Sequence, residues 1–270
     1  MTQGRAALVA LMAGAALAGC GTQAAPTGEP TAATSASSSG STTSSTPPTS
    51  SRTTTTATTT TPTTTAPSTT AASRPLRPGD EGRAVRTLQR ELNAAGYWLG
   101  TPDGTYGHLT EQAVMALQKS AGLTRDGVAG RKTLDALAEG TLPPLPSGPA
   151  DRVEIDLERQ VLMVVRGGRI TFVINTSTAS GETYISRGQP AVAVTPTGTF
   201  RVGRTFRGAE VAPLGTLYSP RYFYGGYAVH GSGSIPAYPA SHGCARVSNP
   251  AMDMIWDEDL MPVGSTVVVR

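Results

Sequence analysis

The sequence predicts a multidomain α and β protein, in which a small three-helix domain is followed by a domain that is mostly a β-sandwich. Between residues 74 and 140, apolar side chains recur at the spacing of amphipathic helices. From residue 150 to residue 270, apolar and polar side chains instead alternate, and glycine and proline punctuate short runs. Residues 141–149 contain four prolines, and they separate the two patterns as a stiff hinge.

The N-terminal segment has the composition of an export signal. Residues 1–19 contain one basic side chain, Arg5, ahead of an apolar run from Ala6 to Ala18 that is too short to span a bilayer. The run ends in Leu17-Ala18-Gly19-Cys20, which resembles a bacterial lipobox, where the signal is cut before a cysteine that then carries a lipid. We therefore expect a lipid anchor at Cys20, on the extracytoplasmic face of the cell membrane. An ordinary export signal is the alternative.

Residues 20–73 have the composition of a disordered linker. They are almost only Thr, Ser, Ala, Pro and Gly, with Glu29 and Arg52 as the only charged side chains. Such a segment buries too little apolar surface to offset the entropy lost on ordering. We expect it to act as a spacer that lets an anchored protein reach into the cell wall.

Charge and cysteine content narrow the functional classes. The formal net charge is only +3, and no basic cluster with interleaved aromatic residues occurs, so nucleic acid is not an expected partner. The chain has two cysteines. If Cys20 carries a lipid, then Cys244 has no partner for an intramolecular disulfide, and an exported protein keeps one unpaired thiol. This pattern is typical of a catalytic cysteine.

Residues 74–140 contain an internal pseudo-repeat. Two loops, Asp103-Gly104-Thr105-Tyr106-Gly107 and Asp126-Gly127-Val128-Ala129-Gly130, lie 23 residues apart, and each leads into a predicted helix. The apolar stripes predict a first helix with Gly96 as its C-terminal cap, a second that follows Thr110 as its N-cap, and a short third helix through Leu134 and Leu137.

This region resembles the small three-helix peptidoglycan-binding domain. The resemblance lies in the Asp-Gly-x-x-Gly loops and in the opening pattern Leu-x-x-Gly-x-x-Gly-x-x-Val-x-x-Leu-Gln, from Leu76 to Gln89. It implies that the partner is the glycan and stem peptides of peptidoglycan. Because every candidate catalytic residue lies beyond residue 190, we expect this domain to raise affinity for the wall without contributing to chemistry.

The second domain has the pattern of a β structure. Arg166-Gly167-Gly168-Arg169 predicts a hairpin turn between two apolar strands, and Ala251 to Leu260 is the one stretch of this domain with a helical pattern. Strands continue to the last residues, where Val267 to Val269 form an apolar run.

A candidate thiol site lies in Ser241-His242-Gly243-Cys244-Ala245-Arg246. A cysteine attacks a carbonyl as the thiolate, so Cys244 needs a base within reach, and His230 and His242 are the two candidates. His230 ends an apolar strand at a Gly-Ser turn, where a strand delivers a side chain to the rim of a site. Gly243 lacks a Cβ and can adopt a positive φ, so the Gly243 and Cys244 amides are candidates for an oxyanion hole. A buried structural role for Cys244 is the alternative.

The same residues resemble the L,D-transpeptidases with the YkuD catalytic domain. The resemblance covers residues 150–270 and rests on His-Gly-Ser at 230–232, on Ser-His-Gly-Cys-x-Arg at 241–246, and on Thr-Pro-x-Gly-x-Phe at 195–200. It implies that Cys244 attacks an L-to-D peptide bond in a peptidoglycan stem, that a terminal D-alanine leaves, and that an acceptor amine completes a 3→3 cross-link. It also implies that His230 accepts and donates the proton, with its other ring nitrogen held by a backbone carbonyl, for which Gly231 is one candidate.

The remaining site residues have open roles. His242 is expected to support the loop, although it stays an alternative base. Arg246 either binds a substrate carboxylate or braces the loop, and Ser241 is a candidate partner for His242. The strand pattern puts Tyr222 and Tyr224 on one face and Phe223 on the other, so we expect Phe223 in the core and Tyr222, Tyr224 and Tyr227 along the substrate groove.

Three further readings compete with the transpeptidase. Water as the acceptor would make the enzyme an L,D-carboxypeptidase. A zinc-dependent wall hydrolase could use His230, His242 and Cys244 as ligands, with one open coordination position. A non-catalytic wall-binding lipoprotein would need only the binding domain and the lipid. The transpeptidase reading requires no metal or other cofactor, and we expect a monomer.

Overall fold

The structure is a computed structural model, and it describes residues 74–270. The predicted signal at residues 1–19, the lipid anchor at Cys20 and the linker at residues 20–73 lie outside the described residues, so they stay predictions. None of the helices between residues 74 and 270 has both the length and the apolar character needed to cross a membrane.

Three helices form the first domain: α1 (Arg83–Ala94), α2 (His108–Ser120) and α3 (Arg131–Ala138). Gly96 follows α1 with a φ of +88°, as its C-terminal cap requires. The predicted N-cap of α2 is wrong, because the helix begins at His108, after Gly107. Thr110 is instead buried in the first turn, where its hydroxyl oxygen accepts a hydrogen bond from Gln89 Nε2 at 2.9 Å.

The pseudo-repeat is reproduced in the hydrogen bonds of two buried glutamines, Gln89 and Gln118. The amide of each lies within hydrogen-bonding distance of one carboxylate, one carbonyl, one threonine hydroxyl and one glycine N–H of the following loop and helix. These partners are Asp103, Thr105, Thr110 and Gly104 for Gln89, and Asp126, Val128, Thr133 and Gly127 for Gln118. The next residue differs between the two halves, since Arg90 is exposed and Lys119 is buried.

The second domain consists of short strands and one helix. In chain order they are β1 (Arg152–Asp156), β2 (Val161–Arg166), β3 (Arg169–Asn175), β4 (Thr183–Ser186), β5 (Gln189–Val192), β6 (Gly198–Arg201), β7 (Arg204–Thr205), β8 (Ala209–Ala212), β9 (Gly215–Tyr224), β10 (Tyr227–Ser232), β11 (Ala245–Ser248), α4 (Asn249–Asp257) and β12 (Thr266–Val269). The turn between β2 and β3 is the predicted one, with positive φ at Gly167 and Gly168.

Two main sheets enclose the core. One has the strand order β3-β2-β1-β12-β6, and the other has the order β11-β10-β9-β7, with β8 also paired to β9. Apolar side chains from both sheets and from α4 form one buried cluster. Helix α4 begins at Asn249, two residues before the predicted start at Ala251, because the Ser248 side chain accepts a hydrogen bond from the Ala251 amide at 3.3 Å.

The helical domain packs directly against the second domain. Val161 and Val173 belong to the same buried cluster as the apolar residues of the helices. The outer edge of strand β3 is also hydrogen-bonded to the helical domain. The Val173 amide donates to Gly96 O at 2.8 Å, and the Trp98 amide donates to Val173 O at 3.3 Å. The two domains therefore share a core and a strand edge.

The proline-rich segment, residues 141–149, is bonded to its neighbours on both sides. Tyr97 of the first domain donates a hydrogen bond to Thr141 O at 2.6 Å. Arg152 donates to Pro146 O at 2.9 Å, and Arg270 donates to Pro144 O at 2.8 Å. These contacts hold the segment in place, so it connects the domains without acting as a free hinge.

Candidate active site

Strand pairing brings His230 next to the Cys244 segment. Strands β10 and β11 are parallel, and His230 lies opposite Arg246 in their register. Val229 and Ala245, also opposite each other, belong to the buried core. Since successive side chains of a strand point to opposite faces, His230 and Arg246 project from the other face, together with Cys244, which directly precedes β11.

These side chains open into a cavity of about 590 Å³. Seven of the predicted site residues line it: Tyr227, His230, Ser241, His242, Gly243, Cys244 and Arg246. The opposite side of the cavity is formed by the β4–β5 hairpin and by residues 212–217 of the β8–β9 hairpin. The sequence did not indicate these two hairpins as part of the site.

Cys244 is a half-buried free thiol. Its Sγ lies 3.8 Å from Gly226 O. Burial raises the pKa of the Cys244 thiol, and the Ala228 amide and the charge of Arg246 oppose this shift only in part. The thiol is therefore protonated at neutral pH, and its reaction as a nucleophile requires a base.

His230 is held as a neutral imidazole. Its side chain is 5% exposed, and Nδ1 lies 2.8 Å from Gly231 O. A carbonyl oxygen can only accept, so Nδ1 carries the proton and Nε2 is left with a free lone pair. Burial lowers the pKa of His230 to about 4, and the positive charge of Arg246 contributes to this shift. Gly231 is thus the carbonyl partner that the family resemblance called for.

Glycine is the one residue type that fits at position 243. Its φ is +147°, and a Cβ added there would lie 2.4 Å from Tyr227 Cε1. The Gly243 amide was expected to be an oxyanion donor, but its N–H instead donates to Ser241 Oγ at 3.0 Å. This amide is therefore occupied, and of the two candidate oxyanion donors the Cys244 amide remains.

Known proteins resemble both domains. The family model for a peptidoglycan binding domain matches residues 81–137, and the model for the L,D-transpeptidase catalytic domain matches residues 150–269. The crystal structure of the L,D-transpeptidase from Xylanimonas cellulosilytica is 46% identical, with a TM-score of 0.72 over 74% of this chain and 100% of that one. The chain belongs to the L,D-transpeptidase family.

Curated relatives match a much shorter part. The N-acetylmuramoyl-L-alanine amidase CwlL of Bacillus licheniformis is 48% identical over 65 residues, which are 23% of this chain and 18% of the amidase. The amidase CwlM of Mycobacterium tuberculosis is 41% identical over 56 residues, 21% of this chain and 14% of that protein. The chain thus spans less than a fifth of the length of the curated relatives it matches.

The second histidine of this L,D-transpeptidase family member lies in a different environment. His242 is exposed, and its ring packs on Tyr184 of β4, with the ring centroids 4.6 Å apart. The expected Ser241–His242 contact is replaced by another, in which Ser241 Oγ donates to Cys244 O at 2.6 Å. Ser241 therefore fixes the loop around the cysteine and leaves His242 at the cavity mouth.

Two of the predicted groove residues do not line the cavity, so the expectation for Tyr222 and Tyr224 is wrong. Tyr222 is buried, its hydroxyl donates to Glu210 Oε2 at 3.0 Å, and the Arg204 guanidinium lies 3.9 Å from its ring centroid. Tyr224 is exposed and packs on Phe200 and Tyr227. Strand β7 pairs with β9 beside Tyr222, so the Arg204 side chain lies over the Tyr222 ring. Phe223 lies in the core as expected.

Arg246 both braces the loop and faces the cavity. Its backbone N–H donates to Ser177 O at 3.0 Å, and its carbonyl accepts from Thr176 Oγ1 at 2.7 Å. Its guanidinium side chain lines the cavity beside His230 and Cys244. The backbone of Arg246 therefore braces the loop, while carboxylate binding by its side chain stays a prediction.

Residues with no predicted role also hold the loop. Thr195 Oγ1 donates to Gly243 O at 2.8 Å and accepts from the Ala179 amide at 3.1 Å. Thr178 O accepts the amides of Ala240 and Ser241, at 2.9 and 2.8 Å. The Thr-Pro-x-Gly motif marked Thr195 as part of the family pattern, but no sequence signal marked Thr178.

The ligand set of the zinc alternative is not assembled. Between residues 74 and 270, no three His, Cys, Asp or Glu side chains form a group that could hold a metal ion. His242 instead packs on Tyr184 of the opposite hairpin.

Proposed function

We propose that this protein is a peptidoglycan L,D-transpeptidase that forms 3→3 cross-links through an acyl-enzyme on Cys244. The observation that carries the proposal is the state of His230. It is a neutral imidazole, fixed through Nδ1 by the Gly231 carbonyl, in the same cavity as a protonated thiol. This is the arrangement that general-base activation of a cysteine needs.

In the first half-reaction, His230 Nε2 takes the thiol proton while Sγ bonds to the carbonyl carbon of the donor stem. The carbonyl oxygen becomes an oxyanion, for which the Cys244 amide is the available donor on the loop. When the tetrahedral intermediate collapses, the C–N bond breaks. His230 then returns the proton to the leaving amine of the terminal D-alanine, and an acyl-thioester remains.

In the second half-reaction, the side-chain amine of an acceptor stem attacks the thioester. His230 takes a proton from this amine, the C–S bond breaks, and the thiolate of Cys244 recovers a proton. The products are the cross-linked stems and the resting enzyme. Water in place of the amine would give the L,D-carboxypeptidase reaction from the same intermediate.

The order of the two pKa values determines when the proton moves. A thiol with a raised pKa beside an imidazole with a pKa of about 4 rests as a neutral pair, not as thiolate and imidazolium. Proton transfer then accompanies attack on a bound carbonyl. The thiol therefore stays protonated, and so weakly nucleophilic, until the donor is bound.

The positive charge of the cavity favours a substrate that carries carboxylates. Arg187 and Arg246 line it, and none of its lining residues is Asp or Glu. Stem peptides carry carboxylates along their chain, which guanidinium groups bind in bidentate geometry.

The first domain supports the same polymer as substrate. The matching curated relatives are named N-acetylmuramoyl-L-alanine amidases, and the first domain matches the peptidoglycan binding model. We propose that this domain holds the enzyme on its polymer, and that a lipid at Cys20 keeps it at the outer face of the membrane.

Mass spectrometry after incubation with a carbapenem tests the proposed nucleophile. The protein should carry Cys20→Ser, so that Cys244 is its one cysteine, and Cys244→Ser in the same background is the matched control. We expect one covalent adduct, mapped to Cys244 and lost in the control. A defined stem-peptide donor with an acceptor amine should then give cross-linked dimer.

Other results would contradict specific parts of the proposal. The absence of an adduct, or an adduct elsewhere, would remove Cys244 as nucleophile. A tripeptide product without dimer would favour the carboxypeptidase. Loss of activity on exhaustive chelation, restored by added zinc, would favour the metal-dependent hydrolase.

A further inference from the structure

Lys119 of the helical domain is inserted into the catalytic domain. It lies in the last turn of α2 and is 1% exposed. It is one of two lysines in the chain, and the other, Lys132, is exposed. A fully buried lysine is rare, since removing an ammonium group from water costs free energy that specific partners must offset.

The partners of Lys119 all come from the catalytic domain. Its Nζ donates to Gln160 O at 3.1 Å, to Thr176 O at 2.9 Å and to Asn175 Oδ1. The charged form of Lys119 has three N–H donors, and these three acceptors use them all. Burial lowers the pKa of Lys119 to about 7, so the charged form depends on these hydrogen bonds. Gln112, seven residues earlier and on the same face of α2, accepts from Asn175 Nδ2 at 2.6 Å.

Gln160 connects Lys119 to the nucleophile loop. Its side-chain amide accepts from the Thr178 backbone N–H at 2.8 Å and donates to Thr178 Oγ1 at 2.6 Å. Thr178 O in turn accepts the backbone N–H of Ser241, whose hydroxyl is bonded to both Gly243 N and Cys244 O. Lys119 is therefore linked to the cysteine backbone by hydrogen bonds that alternate with the covalent structure of Gln160, Thr178 and Ser241.

Thr176 provides a second and shorter connection. Its carbonyl accepts from Lys119, and its hydroxyl donates to Arg246 O at 2.7 Å. Arg246 lies two residues after Cys244 and opposite His230 in the β10–β11 register. Both connections reach the strands and the loop that hold the proposed catalytic pair.

We propose that Lys119 is a positioning residue for the Cys244 loop, which makes the peptidoglycan-binding domain part of the catalytic unit. The inference rests on the proposed function, because it takes Cys244 as the nucleophile. It replaces the expectation that the first domain raises wall affinity without contributing to chemistry. Without the ammonium group, Asn175 Oδ1 and Thr176 O lose this buried donor, while Gln160 O keeps only the Thr176 amide at 3.2 Å, and the segment at residues 175–178 relaxes away from the loop.

The pseudo-repeat supplies an internal control. Arg90 follows Gln89 as Lys119 follows Gln118, but Arg90 is exposed. A substitution at Arg90 therefore changes only the binding domain, whereas the matching substitution at Lys119 also changes its contact with the catalytic domain.

The test compares Lys119→Met with Arg90→Met and Lys132→Met in the full chain. The readouts are the maximal rate of Cys244 acylation by a carbapenem, the carbapenem concentration at half that rate, and the alkylation rate with iodoacetamide. We expect Lys119→Met to lower the maximal acylation rate roughly ten- to a hundredfold, as for a small displacement of a catalytic group. The carbapenem concentration at half the maximal rate should change little. Alkylation should fall less than acylation, because displacement at a saturated carbon needs the base but no oxyanion hole.

A purely structural role would lower the thermal midpoint and leave the maximal acylation rate of the folded protein unchanged, and this result would overturn the proposal. If Lys119→Met does not fold, Thr176→Val tests the same connection, because it removes the hydroxyl bonded to Arg246 O and keeps the carbonyl bonded to Lys119. Wild-type acylation in that variant would also overturn it. Failure of the wild-type protein to be acylated at Cys244 would overturn the proposed function as well.

Discussion

The two walls of the cavity are built differently. The strand wall, made of β10, β11 and the loop at residues 241–244, is largely buried, and hydrogen bonds to Thr178, Thr195 and Ser177 hold its backbone. The hairpin wall, made of β4–β5 and the tip of β8–β9, is largely exposed. Its apolar side chains remain partly in solvent, with Ile185 64% and Leu214 46% exposed.

This difference separates chemistry from recognition. Proton transfer and nucleophilic attack need groups held in one geometry, and the strand wall provides His230 and Cys244 in that way. Recognition of a flexible stem peptide instead needs a surface that adapts and carries charge, and the hairpin wall presents Tyr184 and Arg187. His242 lies at the junction, because it belongs to the loop and packs on the opposite hairpin.

Replacing each histidine in turn tests this separation most severely. We expect His230→Ala to lower the carbapenem acylation rate by roughly 10²- to 10⁴-fold, since it removes the base, and His242→Ala to lower it by far less. Stopped-flow acylation of both variants, checked for unchanged folding, measures the ratio. A larger loss in the His242 variant would move the base to the other side of the cavity.

The pH dependence of stability tests the burial of the strand wall. The pKa of His230 is about 4 in the folded protein and near 6.5 in the unfolded chain, so the unfolded state binds the proton first as the pH falls. The free energy of unfolding should therefore decrease by about 3 kcal/mol between pH 6.5 and pH 4 from this group alone. Urea unfolding of His230→Gln should lack this contribution, and the exposed-site control His242→Gln should keep it. If the free energy of unfolding changed equally with pH in wild type and His230→Gln, the imidazole would be solvated in the folded protein.

Arg187 tests the hairpin wall, where a smaller effect is expected. It occupies a turn with a φ of +51°, and its exposed side chain lines the cavity. Arg187→Asn removes the charge and keeps a residue that tolerates this φ. We expect the donor concentration at half-maximal rate to rise several-fold, about 1 kcal/mol, with a smaller change in the maximal rate. Arg169→Asn, at the remote β2–β3 hairpin, is the control, and a similar effect there would indicate a general loss of positive charge.

Features that depend on near neighbours in the chain were predictable from the sequence. The helical spacing of Val85, Leu88 and Leu92 anticipated α1, and Gly167-Gly168 anticipated the turn between β2 and β3. The alternation along β9 placed Phe223 in the core. Each of these signals arises because backbone geometry repeats every two or every 3.6 residues, so a few consecutive side chains determine the pattern.

Features that depend on distant partners were not predictable in this way. Alternation put Tyr222 and Tyr224 on the same face of β9, but only the pairing of β7 and β8 with β9 brought Arg204 and Glu210 to Tyr222. The Thr195 hydroxyl donates to Gly243 O although the two residues are 48 positions apart in the chain. A hydrogen bond of this kind depends on the position of single atoms, which no spacing rule describes.

By itself, the sequence determined the two-domain order, the period of each element and the motif residues that line one cavity. The tertiary structure decided which histidine is buried, and that Lys119 rather than Arg90 enters the catalytic domain. The physical reason is that periodicity follows from the local backbone. Burial, pKa and hydrogen-bond saturation instead follow from groups that meet only after residues far apart in the chain, such as Lys119 and Thr176, have packed together.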